Sequence, residues 1–302
     1  MTRRWKIFLK AVGIALGIGL LPLFAEITEI HLAYTANLNG NLETCHCGGN
    51  NLGGMVQLKA TIDSLSRRYP DLILVDSGDF LTTYSMPQAN ALMWELMSWL
   101  PFSAINPGDQ EFVEGWLFFR QHLAQNSLPL VSINLKFPED AERTTIPRYR
   151  ICQRGASTIY ILGVTPASAF DFIQVPEVDM LPVTTALQEY LPQIQTKADL
   201  IVLLYHDSYR HAQELLHQFP QIHVMIAGHS QEKGIIQAGN QVVLQPGTDG
   251  EYLGLLTIIL KDGTIEYQNR FIPVSPQFGE DQGVKKRVET FYQHLEKEDI
   301  VH

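Results

Sequence analysis

Four residues far apart in the chain, Asp79, Asp109, His206 and His229, have the types and surroundings to share one divalent cation. Two carboxylates and two imidazoles suit Zn, Mn or Fe; Mg and Ca, which prefer oxygen throughout, fit less well. Each of the four stands in a short loop just after an apolar run. Leu72–Val75 leads into Asp76-Ser77-Gly78-Asp79, and Phe102–Ile105 into Asn106-Pro107-Gly108-Asp109-Gln110-Glu111. Leu200–Tyr205 leads into His206-Asp207, and His223–Ala227 into Gly228-His229-Ser230-Gln231. A fifth run, Ile30–Tyr34, leads into Thr35-Ala36-Asn37-Leu38-Asn39-Gly40. Singly these are weak signals, because Asp and Gly after a strand commonly make only a turn, and a lone His is often a satisfied core residue. Their joint, ordered appearance is what carries the reading.

Such loops converge only if the elements before them lie parallel. The apolar runs read as buried strands, and helix-period segments alternate with them. Helices are expected over Leu52–Tyr69, Ala89–Trp99, Phe112–Gln125, Thr185–Thr196 and His211–Phe219, with further strands at Leu130–Ile133 and Ser157–Gly163. From about residue 234 the pattern changes to Gln241–Leu244, Leu253–Leu260 and Thr264–Ile272, strands joined by turns such as Asp262-Gly263, before a last helix from Val284 to Lys297. This order predicts an α/β domain with two sheets face to face and helices outside. In open α/β sheets ligands bind beyond the carboxyl ends of parallel strands, which puts the five loops on one rim.

The chain has 302 residues and a formal charge of −10. Arg3, Arg4, Lys6 and Lys10 precede an apolar stretch from Ala11 to Phe24 and a small residue, Ala25, the layout of a secretory signal peptide. The bulky Leu23 leaves an uncleaved anchor as the alternative, the one route to membrane contact. The expected location is periplasmic or extracellular. Residues 26–302 carry no repeat or linker and read as a single domain. Without residues 1–25, which hold four basic side chains and no acidic ones, the formal charge moves to −14. So acidic a chain argues against nucleic acid as a partner, since a phosphate backbone needs compensating Lys and Arg. A small phosphorylated substrate is compatible if a metal neutralises it.

Taken together, these motifs resemble the calcineurin-like metallophosphoesterases, and within them the catalytic domain of the 5′-nucleotidase branch. The likeness runs over residues 28–272 and includes Leu52-Gly53-Gly54, Ser132-Ile133-Asn134, Gly163-Val164-Thr165, and Pro246-Gly247 through Tyr252-Leu253-Gly254. It implies a four-layer α/β/β/α sandwich with two metals bridged at the position of Asp79. It also implies that Asp79, Asp109, His206 and His229 hold the second metal, with Asp109 where the family has Asn. The first metal's other ligands fall on Asn37, Asn39 and Gln231, all of them amides here, and neutral amides are poor ligands for a transition metal. One ion rather than two is the resulting expectation. The family's general-acid His falls on Gln110, which cannot donate a proton to a leaving group. Gln110 and Asn39 are left to orient phosphate oxygens. Two-domain relatives carry a further nucleoside-recognising domain, for which this chain is too short.

Cys45-His46-Cys47 follows the opening loop closely enough to reach the same rim. Either a thiolate or His46 supplies substitute ligands for the degenerate first site, or these cysteines pair, one of them with Cys152, or serve no role. The spacing is not that of covalent haem attachment. Two functions follow. One is an exported metal-dependent phosphoric-ester hydrolase of reduced or altered activity; the other is a catalytically inactive metal-binding or interaction module on the same fold.

Overall fold

The computed structural model describes residues 28–44, 51–138, 146–261 and 263–300, the last four of these by backbone only. In chain order the first half holds β1 (Thr28–Thr35), α1 (Met55–Arg68), β2 (Ile73–Asp76), α2 (Pro87–Met97), β3 (Ala104–Ile105) and α3 (Trp116–Gln125). There follow β4 (Leu135–Lys136), β5 (Tyr149–Arg154), β6 (Ser157–Val164), β7 (Asp179–Met180), α4 (Val183–Ile194), β8 (Leu200–Tyr205), α5 (Tyr209–Gln218) and β9 (Val224–Ala227). The chain ends with β10 (Lys233–Ala238), β11 (Gln241–Pro246), β12 (Tyr252–Lys261), β13 (Thr264–Pro273) and α6 (Gln282–Ile300).

Two sheets result. One has the order β13-β12-β1-β2-β3, the other β10-β11-β9-β8-β6-β5. The strands that precede the candidate site loops are parallel within each sheet: β1, β2 and β3 in the first, and β8 and β9 in the second, flanked there by the parallel β6 and β11. β2, β8 and β9 are buried at every position, which is why they read as unbroken apolar runs.

Side-chain alternation sorts the core into three apolar layers. Leu32, Tyr34 and Val75 pack between the sheets with Ile161, Val202 and Ile226. Their neighbours Ala33 and Leu74 face the other way, with Leu58 and Ile62 of α1 and Leu92 and Leu96 of α2. On the far side Leu203 and Met225 meet Leu187 of α4 and Leu215 of α5. Three apolar layers among four structural ones make the α/β/β/α sandwich that the motifs implied, and each sheet buries both faces.

The structure differs from the sequence-based expectation at several elements. Leu130–Ile133 is not a strand. Leu130 bridges Ile105, the Val131 N–H donates to the Ile105 carbonyl, and the Ile133 N–H donates to Gly163 of β6, so the segment crosses from one sheet to the other. The helix expected from Phe112 starts at Trp116, because Gly115 at φ 83° breaks the helical path and leaves Gln110–Phe112 as a 3-10 turn. The edge strands β5 and β10 were not anticipated; their charged and polar residues hide the alternation.

Candidate metal centre

At the carboxyl ends of the parallel strands, one ligand atom from each of Asp79, Asp109, His206 and His229 lies within 4.8 Å of the others. The first three are buried and the His229 side chain is 39% exposed, so the cluster opens to solvent on its His229 side. His206 Nε2 is 3.1 Å from Asp79 Oδ1 and 3.2 Å from Asp109 Oδ1, and His229 Nδ1 is 3.2 Å from Asp109 Oδ1. On its other edge, His206 Nδ1 lies 2.7 Å from the Ser77 carbonyl. A carbonyl can only accept, so Nδ1 carries the proton and Nε2 is left to face the carboxylates.

Electrostatics follow from the same contacts. Burial opposes a charge on His206, yet Asp79 and Asp109 beside it hold its pKa well above the ordinary imidazole value. The hydrogen bond to Asp109 raises His229 as well. Burial works against the Asp109 carboxylate, and the two imidazoles outweigh it, keeping Asp109 well below the usual carboxylate range. Two anionic and two imidazole groups packed this closely fit a divalent cation, which would replace the imidazole protons as the balancing charge.

The loops are built for this approach. A Cβ on Gly108 would lie 2.5 Å from Asp79 Oδ1 and 2.6 Å from His206 Cε1, so no larger residue fits there. Asp79 and His229 adopt φ 61° and φ 60°, in the left-handed region that only glycine enters freely. Every non-glycine residue with positive φ among the described residues belongs to this rim: Asn37, Asn39, Asp79, His229, Gln231 and Asp249. Strain of this kind, concentrated at one place, persists only where the surroundings impose it.

Behind the cluster, Glu111 ties two ligand loops together. Its Oε2 accepts from the N–H groups of Asp79 and Gly108 at 3.0 and 2.5 Å, and its Oε1 from those of Phe80 and Leu81 at 2.7 and 3.3 Å. Burial and the charge of Asp79 push the Glu111 carboxyl up to about 8. Yet each oxygen already faces two N–H donors, so a proton on either would displace one of them, and a cation held by Asp79 would relieve the repulsion. The sequence reading noted Glu111 without finding this role. The contacts of Ser77 went unnoticed too, because a serine in an Asp-Ser-Gly-Asp turn carries no distinguishing signal.

The amide positions bond mainly to neighbouring backbone, hydroxyl and carboxylate groups, with one amide–amide bond between Gln110 and Asn39. The Asn37 Oδ1 accepts from the His229 N–H at 2.7 Å, while its Nδ2 donates to the Gly247 carbonyl at 3.0 Å. Asn39 Nδ2 donates to Thr248 Oγ1 and Asp249 Oδ1, both at 2.8 Å, and Gln231 Oε1 accepts from Thr248 at 3.2 Å. Gln110 donates through Nε2 to Asp79 Oδ2 at 3.1 Å and Asn39 Oδ1 at 3.3 Å, leaving its buried Oε1 without a partner. Asp249 was not singled out in the sequence; its Thr248-Asp249-Gly250 context reads as a surface turn.

Cys45, His46 and Cys47, and the expected signal segment 1–25, lie outside the described residues. Cys152, on β5, pairs in register with Ile159, near the start of β6 and so away from the rim, and burial pushes its thiol pKa up. Among the described residues no helix is long and apolar enough to cross a membrane.

No family model matches the chain. Human 5′-nucleotidase is 24% identical over 236 residues, which are 72% of this chain and 40% of that protein. The solved structure of a 5′-nucleotidase precursor from Thermus thermophilus superposes with a TM-score of 0.77 at 19% identity, over 89% of this chain and 59% of the other. The calcineurin-like phosphoesterase YfkN from Bacillus subtilis superposes at 0.70 and 15% identity, over 89% of this chain and 98% of that one. The chain thus spans about two fifths of its curated relative's length and less than two thirds of the Thermus structure.

Proposed function

The fold is that of the calcineurin-like phosphoesterases and 5′-nucleotidases, and from it we propose that the chain is an exported metal-dependent phosphoric-ester hydrolase. One divalent ion of the Zn, Mn or Fe type would be held by Asp79, Asp109, His206 and His229. The observation that carries this is the convergence of those four donor groups within 4.8 Å at one end of the sandwich. When bound, the ion supplies Lewis-acid polarisation of the phosphoryl group.

The chain's own residues account for the remainder. Ser77 fixes the His206 tautomer, and Glu111 sets the distance between the Asp79 and Asp109 loops. His229, on the open side, lets a small phosphorylated substrate approach from the adjoining cleft. Asn39 stands on the rim beside Gln110, and its Nδ2 can donate to a phosphate oxygen once its bond to Thr248 or Asp249 yields. Gln110 can orient but cannot protonate, so turnover should favour esters whose leaving group departs as a stable anion.

A second reading, a metal-binding module without turnover, is favoured by one observation: both amide hydrogens of Gln110 are already engaged by Asp79 and Asn39. Metal analysis with hydrolysis of an activated aryl phosphate, for wild type and Asp79→Ala, separates the two. About one ion per chain and a turnover that both vanish in the variant support the hydrolase. Bound metal without turnover supports the module. Turnover that survives Asp79→Ala removes the proposed site.

A further inference from the structure

Beside the cluster lies a cleft of about 720 Å³, within the size range of small-molecule sites. Asp79, Asp109 and His229 line one end of it, and Tyr84 and Phe172 contribute to the remaining wall. These are the two most exposed aromatic side chains among the described residues, 79% and 98% accessible. Single exposed apolar residues are ordinary on a protein surface; two aromatic rings on one cleft that also reaches a ligand cluster are not.

Both rings are presented by fixed backbone. In the Tyr84 loop, the Thr82 N–H donates to Asn90 Oδ1 at 2.9 Å, and Ser85 Oγ and the Met86 N–H donate to the Glu114 carboxylate at 2.7 and 2.5 Å. Phe172 follows the buried Phe170, whose ring packs near Phe112, and the Ile173 N–H donates back to the Phe170 carbonyl. The cleft wall contains no Lys and no Arg among the described residues; its carboxylates are those of Asp79 and Asp109. An anionic group on the substrate beyond the phosphoryl itself would meet no counter-charge there.

Resting on the hydrolase reading, the geometry points to a specificity: the substrate is a phosphomonoester whose leaving group is flat, apolar and uncharged, and Tyr84 and Phe172 are the residues that select it. Aromatic faces favour planar partners through stacking and area burial, and a wall without Lys or Arg offers no ion pair to a second anionic group beyond the metal cluster.

Non-hydrolysable phosphonates test this without turnover. The probes are inorganic phosphate, methylphosphonate, phenylphosphonate and 4-carboxyphenylphosphonate, titrated calorimetrically into the full chain with zinc. Phenylphosphonate should bind about tenfold tighter than methylphosphonate, and the carboxylated ring should lose most of that gain. In Tyr84→Ala and Phe172→Ala the phenyl advantage should shrink, while inorganic phosphate binds as in wild type, showing that the centre is intact. Both residues are exposed, so truncation removes no core contact. Phosphate bound with no preference for the phenyl compound, or a preference untouched by both variants, overturns the specificity and leaves the hydrolase reading standing. A carboxylated ring bound as tightly as the plain one overturns the charge selection. Failure of inorganic phosphate to bind overturns the hydrolase reading and this specificity with it.

Discussion

Two halves of one rim share a backbone and differ in chemistry. Asp79, Asp109, His206 and His229 form a charged cluster whose donor atoms face one another. Asn37, Asn39 and Gln231 take left-handed conformations like those of Asp79 and His229, yet their side chains engage neighbouring backbone and hydroxyl groups. The loops on the amide side keep the unusual backbone without the ligand types. What separates the candidate metal cluster from the amide half is then charge: the amides are satisfied as neutral groups, whereas the carboxylates need the imidazoles, or a cation in their place, to balance them.

The comparison breaks most readily at Asp79, which touches both halves through His206 and Gln110. Asp79→Ala should abolish metal retention and lower any turnover by more than the roughly 10–100-fold typical of losing an outer-shell partner. Metal analysis after dialysis, with a kinetic assay, checks this.

Next in size is Glu111→Ala, which leaves four N–H groups facing a void. A loss of about 1–3 kcal/mol or more is expected in denaturant unfolding, with metal affinity weakened as the two ligand loops separate. Unchanged stability would mean that the loops are held by something else.

Asn37→Asp sharpens the comparison. A carboxylate cannot donate to the Gly247 carbonyl or keep a neutral contact there, so a destabilisation of about 1–3 kcal/mol is expected. Metal stoichiometry should not rise. A second ion per chain in this variant would show that the amide half is a metal site lacking only its charge.

The smallest effect belongs to Gln231→Gly. Releasing a left-handed residue recovers about 1 kcal/mol, and losing the Thr248 bond gives back a similar amount. Thermal unfolding and metal content close to wild type are the expected results, and a large loss of metal would place Gln231 in the charged half after all.

Much of this was legible before any coordinates. The buried strands β2, β8 and β9 announce themselves because both faces are covered and nearly every residue is apolar. The Asp79, Asp109, His206 and His229 loops could be found because each follows an apolar run of this kind. Less legible were elements whose residues serve surfaces, such as β5 and β10, where polar and charged side chains obscure the period of two. Leu130–Ile133 misled because an apolar run is buried equally well as a strand or as a segment crossing between sheets.

By itself the sequence determined which chemistry was possible: the acidic charge, the donor types after each strand, and amides at the positions where the resemblance alone led one to expect ligands. Tertiary structure alone decided which groups meet. Ser77 and Glu111 acquired their roles, and the amides their backbone and hydroxyl partners, only when strands distant in sequence ended side by side. The physical reason is that residue type sets what a side chain can donate, accept or coordinate, while hydrogen bonds and ion pairs depend on ångström distances that only the packed sheets fix.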